Sequence, residues 1–142
     1  MLEHLIISGF GVIGTEVLHQ IIKKNKFKKL NISIIEKNYS NFPGGVAYSK
    51  LNSRYGFFNN PLRLSNNEFK NWVTKNSNQR RLIRYFSHNK NLKLDGWLKK
   101  NLAKNKLKFF NLKELYLPRL TYAIYLEDKF IETLKILKKK KF

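Results

Sequence analysis

The stretch His4-Leu5-Ile6-Ile7-Ser8-Gly9-Phe10-Gly11-Val12-Ile13-Gly14 is an apolar run that breaks into a Gly-x-Gly-x-x-Gly triplet. A second apolar run, Leu30 to Ile35, ends at Glu36, about twenty residues beyond the triplet. A glycine triplet alone says little. Set between a strand and a helix, with an acid at that distance, it has the layout of a dinucleotide site.

Each piece has a physical task. Gly9 allows the tight turn out of the strand, Gly11 lets a pyrophosphate approach the backbone, and Gly14 lets the helix pack close to the sheet. The helix then starts with unpaired N–H groups and the positive end of its dipole turned toward negative charge. The Glu36 carboxylate is placed to accept hydrogen bonds from an adenosine ribose. It would repel a phosphate on that hydroxyl, a bias that the neighbouring Lys37 weakens. Ile13, Val17, Leu18, Ile21 and Ile22 recur at helical spacing, and Ile32 with Ile34 and Ile35 read as a buried parallel strand. A β-α-β unit from His4 to Glu36 is therefore expected.

Composition bounds the rest. The chain has 142 residues, 42% of them hydrophobic and 14% aromatic, which fits one domain with a real core. With no cysteine, there is no disulfide, thiolate metal site or redox dithiol, so redox chemistry would have to come from a bound cofactor. The first ten residues lack a basic start and carry Glu3, against a signal peptide, and no apolar run is long enough to span a membrane. The expected location is cytoplasmic. The formal charge of +20 raises nucleic acid as a partner. However, the excess is mostly lysine on what read as solvated faces, alongside abundant Asn and Ile of the kind AT-rich coding produces. Nucleic acid is therefore disfavoured, with Arg80 to Arg84 and Lys138 to Lys141 left as candidates for weak polyanion contact. His4, His19 and His88 are too dispersed for a metal site, and no residue pattern demands a catalytic role.

Downstream, Pro43-Gly44-Gly45 predicts a turn with positive φ angles. Ser65, Asn66 or Asn67 is expected to cap a helix bearing Phe69, Trp72 and Val73. A second helix is expected over Asn78 to His88, burying Leu82, Ile83, Tyr85 and Phe86. A third should start at Asp95 as its N-cap and carry Trp97, Leu98 and Leu102. Leu107 to Leu112 reads as a strand. After Leu117-Pro118-Arg119 comes a long helix with Ala123, Leu126, Phe130, Leu134 and Leu137 on one face.

Four segments together resemble the FAD/NAD(P)-binding flavoprotein domain family. They are Ile6 to Gly14, Ile34-Ile35-Glu36-Lys37 with Gly44-Gly45-Val46-Ala47-Tyr48, Asn59-Asn60-Pro61 through Ser65 to Phe69 and Trp72, and Leu117-Pro118-Arg119 through Leu126. The last is similar to a Pro-Arg-x-x-aromatic-Gly-x-Tyr-Leu signature, with Ala123 in the glycine's place. The resemblance covers nearly the whole chain and implies a Rossmann-like α/β domain. That domain would have a small parallel sheet and a largely helical remainder, and is expected to be incomplete. It would be a single domain over 1–142, with the fingerprint in 1–37 and the loop and helical portion in 38–142.

By the same resemblance the chain would bind FAD, with NAD(P) as a further cofactor, as the N-terminal part of a flavin-dependent, NAD(P)H-linked oxidoreductase. Gly9, Phe10, Gly11, Ile13 and Gly14 would line the pyrophosphate, and Glu36 and Lys37 would meet the ribose. Gly45, Tyr48, Asn59 and Asn60 would lie near the rest of the cofactor, and Arg119 would offer a charged contact to a phosphate. A homo-oligomer or a complementing chain is expected to cover the open sheet edge. The alternatives are a non-catalytic or truncated dinucleotide-binding module and, behind it, a basic nucleic-acid-binding protein.

Overall fold

The computed structural model describes residues 3–24, 30–50, 56–88, 92–103 and 108–140. They divide into two compact units, one formed by Met1–Arg54 with Tyr122–Phe142 and one by Tyr55–Thr121.

In the first unit, strand β1 (Glu3–Ser8) leads through the glycine turn into helix α1 (Val12–Lys24), and strand β2 (Leu30–Ile35) follows. The two strands pair in parallel, from Glu3 opposite Leu30 to Ser8 opposite Ile35, and the Gly9 amide extends the ladder to the Ile35 carbonyl at 2.8 Å. A 3-10 turn (Tyr39–Asn41) and the short helix α2 (Gly45–Tyr48) come next. The predicted turn is present, with φ of 113° at Gly44 and 70° at Gly45.

Ile7, Phe10, Leu18 and Ile22 form the centre of this unit, packed by Leu5, Ile32, Ile34, Phe42, Phe130, Ile136 and Leu137. The Phe10 ring stacks on Phe42 at 4.7 Å and meets the edge of Phe130 at 5.4 Å. Burying such a ring stabilises the fold by roughly 1.5–3 kcal/mol.

The inward face of α1 is Gly14, Thr15, Leu18, His19 and Ile22, so it is rotated from the expected stripe, leaving Ile13 and Val17 exposed. The reason lies in the final helix, α6 (Arg119–Lys140), whose portion in this unit presents polar groups. Lys129 is 3% exposed and forms an ion pair with Glu16. Thr133 donates to the Lys129 carbonyl at 2.8 Å, so its oxygen accepts from His19 Nδ1, also at 2.8 Å. Partial burial works to raise the Glu16 pKa, but its bonds to Lys129 and Gln20 and the Lys129 charge outweigh that and hold it below the ordinary value. The strands are also less covered than expected, with Ile6 and Ile35 mostly exposed. A two-stranded sheet has too few neighbours to bury both faces.

The second unit is helical. Helix α3 (Asn67–Thr74) starts on Asn66, whose side chain accepts from the Phe69 amide at 2.8 Å, one of the three caps expected. Helix α4 (Asn76–His88) buries Gln79, Leu82, Ile83 and Phe86, while Tyr85 is half-buried. Helix α5 (Leu92–Asn101) begins before Asp95, which lies in its first turn and is not its cap. Trp97 lies 5.3 Å from Phe109 and 6.1 Å from Phe86.

The strand expected over Leu107 to Leu112 does not form. Leu107 lies outside the described residues, Phe109 makes one antiparallel bridge to Leu102, and Asn111 takes a left-handed turn at φ 42°. Extended backbone recurs where Phe57 bridges Pro118, with the Phe58 amide bonded to Leu117 and the Arg119 amide to Gly56. In α6, Ala123 and Leu126 are buried as expected, whereas Leu134 is exposed and the buried positions further along are Lys129 and Thr133.

Phe10→Ala should lower stability by about 3–5 kcal/mol, read from the urea midpoint. Ile13→Ala, at a position 79% exposed, should stay within about 0.5 kcal/mol of the parent. Equal losses would refute this division between core and turn surface.

Candidate functional site

The glycine turn joins β1 to α1, and the three glycines answer to different constraints. Gly9 has φ 80°, a conformation that side chains disfavour, while a Cβ there would meet nothing within 4 Å. Gly14 is held by space, because a Cβ there would collide with the Gly9 carbonyl oxygen. Gly11 is under neither constraint. A Cβ there would touch Gly45 Cα at 3.7 Å, an ordinary contact. The protein's own packing therefore tolerates a methyl group at Gly11, and the backbone there is bare.

Helix geometry leaves the N–H groups of Gly11, Val12, Ile13 and Gly14 without an intrahelical acceptor, since the first such bond runs from Thr15 N–H to the Gly11 carbonyl at 3.0 Å. The Thr15 hydroxyl donates to the same carbonyl at 2.9 Å, which fixes the first turn. This end of the helix favours negative charge.

Glu36 reaches across from the end of β2. One carboxylate oxygen accepts the Phe10 amide at 2.8 Å and the other the Asn38 amide at 3.3 Å. The Phe10 bond is the main reason its pKa lies below the usual glutamate value, and the Asn38 and Lys37 amides add to it. An ionised carboxylate has about four acceptor positions, so capacity for a further donor remains. The expected place of Phe10 along a pyrophosphate is therefore not through its N–H, which Glu36 holds, nor through its ring, which is fully buried.

The Gly44-Gly45 turn lies against the fingerprint. The Gly44 amide donates to the Phe10 carbonyl at 3.1 Å, Gly11 and Gly44 form a parallel bridge, and a Cβ on Gly45 would lie 3.0 Å from Gly11 Cα. Gly45 is among the expected site residues, and Gly44 is not. The positive φ demanded by Pro43-Gly44-Gly45 was legible, but its pairing with Gly11 had no local signal. Lys37 is exposed beside Glu36, and Ile13 projects from the first turn of α1. Tyr48 ends α2 with its ring 5.0 Å from Tyr122.

The other expected site residues belong to the second unit. Asn59 and Asn60 are exposed in a bend ahead of Pro61. Arg119 Nε donates to the Phe57 carbonyl at 3.2 Å, and its side chain packs on Gly56, which gives that residue a structural task within its own unit.

Among the described residues no three His, Cys, Asp or Glu side chains are grouped to hold a metal, and no helix is long and apolar enough to cross a membrane. A family model described as FAD-NAD(P)-binding matches residues 6–141. No curated protein and no solved structure matches the chain.

Because folding favours the ionised form of Glu36, its contribution to stability is complete above the ordinary glutamate pKa of about 4.3 and disappears as pH falls through the lower folded value. Thermal midpoints measured from about pH 6 down to pH 3 should fall less steeply for Glu36→Gln than for the parent. Parallel curves would remove the Phe10–Glu36 bond from the account.

Proposed function

The chain belongs to the FAD-NAD(P)-binding family, and from that premise we propose that it holds FAD as part of a flavin-dependent, NAD(P)H-linked oxidoreductase. Dinucleotide binding in general follows from family membership. Its placement here, with the ADP half at the turn from Gly9 to Gly14, is supported by one observation above the others. The Gly11 backbone is bare although no neighbouring atom requires it to be. A glycine that the protein's own packing does not need is explained by a ligand that does need it.

In this reading the amides of Gly11, Ile13 and Gly14 meet the pyrophosphate, and the Ile13 side chain lies beside it. Glu36 accepts a ribose hydroxyl while keeping its bond to Phe10. The same carboxylate disfavours a phosphate on that ribose, so FAD or NAD is preferred over NADP at this position, with Lys37 moderating the effect. Gly45 and Tyr48 extend the surface away from the turn. Phe10 acts as the positioning residue, since its peptide ties the carboxylate to the turn. The bound flavin supplies the electron chemistry, and the chain contributes binding and orientation. A complementing chain or a second copy belongs to the same proposal, because Ile6 and Ile35 leave the sheet partly uncovered.

Gly11→Ala should keep the unliganded melting temperature within a few degrees and lower FAD affinity at least about tenfold, or roughly 1.4 kcal/mol. Calorimetry and flavin absorbance of the purified protein measure both. Unchanged flavin content in the variant would overturn the placement. Stabilisation of the parent by NAD or ADP with no flavin retained would replace the oxidoreductase with a module that holds a dinucleotide without turnover.

A further inference from the structure

The arginines of this chain are not distributed like its lysines. Lysine outnumbers arginine 23 to 6, yet Arg80, Arg81 and Arg84 fall within five residues. All three lie on α4, which contains no acid. Arg80, Arg84 and His88 form one row at four-residue spacing, and Ser77, Arg81 and Tyr85 form the row beside it, with a rise of about 6 Å per step. These six side chains line one open concavity of about 670 Å³. The opposite face of the helix is locked inward by Gln79, Leu82, Ile83 and Phe86, so the basic face is fixed outward. Arg80 and Arg84 are exposed and form no ion pair among the described residues. The unit that carries them, Tyr55–Thr121, has fifteen lysines and arginines against three acids, a net charge of +12.

We propose that this face of α4 is a docking surface for nucleic acid, with Arg80 and Arg84 gripping the phosphodiester backbone and Tyr85 lining the surface beside them. Guanidinium forks match phosphate oxygens in pairs, which a lysine ammonium does not. An open face suits a continuous strand, whereas a small anion needs enclosure. No large aliphatic side chain lies among the six lining residues, so the surface has nothing to insert below a lipid headgroup. Interleaved arginine and aromatic groups are the pattern that tracks a backbone and stacks bases. His88 Nδ1 donates to the Arg84 carbonyl at 2.7 Å, which ties the ring to the end of this row. The surface lies wholly on α4, so the proposal does not depend on the dinucleotide reading.

The test is fluorescence anisotropy of the full chain with a labelled single-stranded oligonucleotide of about 20 nucleotides, across about 50 to 300 mM salt. The parent should bind with a linear fall of log affinity against log salt. Arg80→Gln with Arg84→Gln should weaken binding at least fivefold at the low-salt end and reduce the slope by roughly 1.4, two phosphates at ~0.7 each. Lys138→Gln with Lys139→Gln removes the same charge from α6 and should change the slope by less than half as much. Circular dichroism should be unchanged in both. Equal losses in the two double variants would overturn the proposal in favour of diffuse charge attraction. Equal displacement by polyglutamate would overturn it in favour of an acidic protein partner.

Discussion

The hydrogen bond from the Phe10 amide to the Glu36 carboxylate is the contact on which the first unit turns. It joins the glycine turn to the end of β2 across 26 residues, and both ends are separately fixed. The ring of Phe10 is held between Phe42 and Phe130, and the carboxylate is held by the Asn38 amide. The residue between the two glycines is thus held through both its ring and its amide. The Phe10 carbonyl, in the following peptide, accepts from the Gly44 amide, so one residue fixes both the acid and the second glycine turn. A bend rich in glycine loses much conformational entropy when ordered. Here an aromatic core residue placed between the glycines offsets that loss.

The seating of α1 depends on a second polar arrangement. Lys129 is almost wholly buried, and a buried cation without partners would be strongly unfavourable. It has Glu16, the Tyr125 hydroxyl at 3.3 Å and the face of the Tyr125 ring. His19 and Thr133 complete the contact one turn further on. Directional partners of this kind fix the rotation of α1 more closely than an apolar stripe does. That is why Thr15 and His19 face inward while Ile13 and Val17 remain at the surface.

This arrangement also marks how far the sequence could be read. The strand, turn and helix at residues 3–24, the cap at Asn66 and the turn at Gly44-Gly45 were legible because each is fixed by local geometry. Local signals also placed α4 and the long α6 to within a few residues. The orientation of α1 was not legible, because it is decided by Lys129 and Thr133, which lie more than 110 residues away. Leu107 to Leu112 failed for the related reason that alternation of apolar residues does not say whether a partner strand exists. At the candidate site the glycines and Glu36 were found from spacing. The engagement of the Phe10 amide was not, because hydrogen-bond capacity is set by three-dimensional neighbours.

A parallel pair of six-residue strands is not stable alone, and here it keeps Ile6 and Ile35 exposed. The stability of the first unit must therefore come mainly from what packs on the other face, namely Ile7, Phe10, Leu18 and Ile22 with Phe42 and Phe130. Phe10 lies within the glycine turn itself, so the cluster that holds the sheet also sets the geometry of the turn. Anything that loosens the aromatic cluster loosens the turn with it. By the reciprocity of linked equilibria, a ligand that orders the turn stabilises the cluster. Fold and candidate site in this unit are then one cooperative element, and the exposed face of the sheet is where its remaining stability has to be supplied.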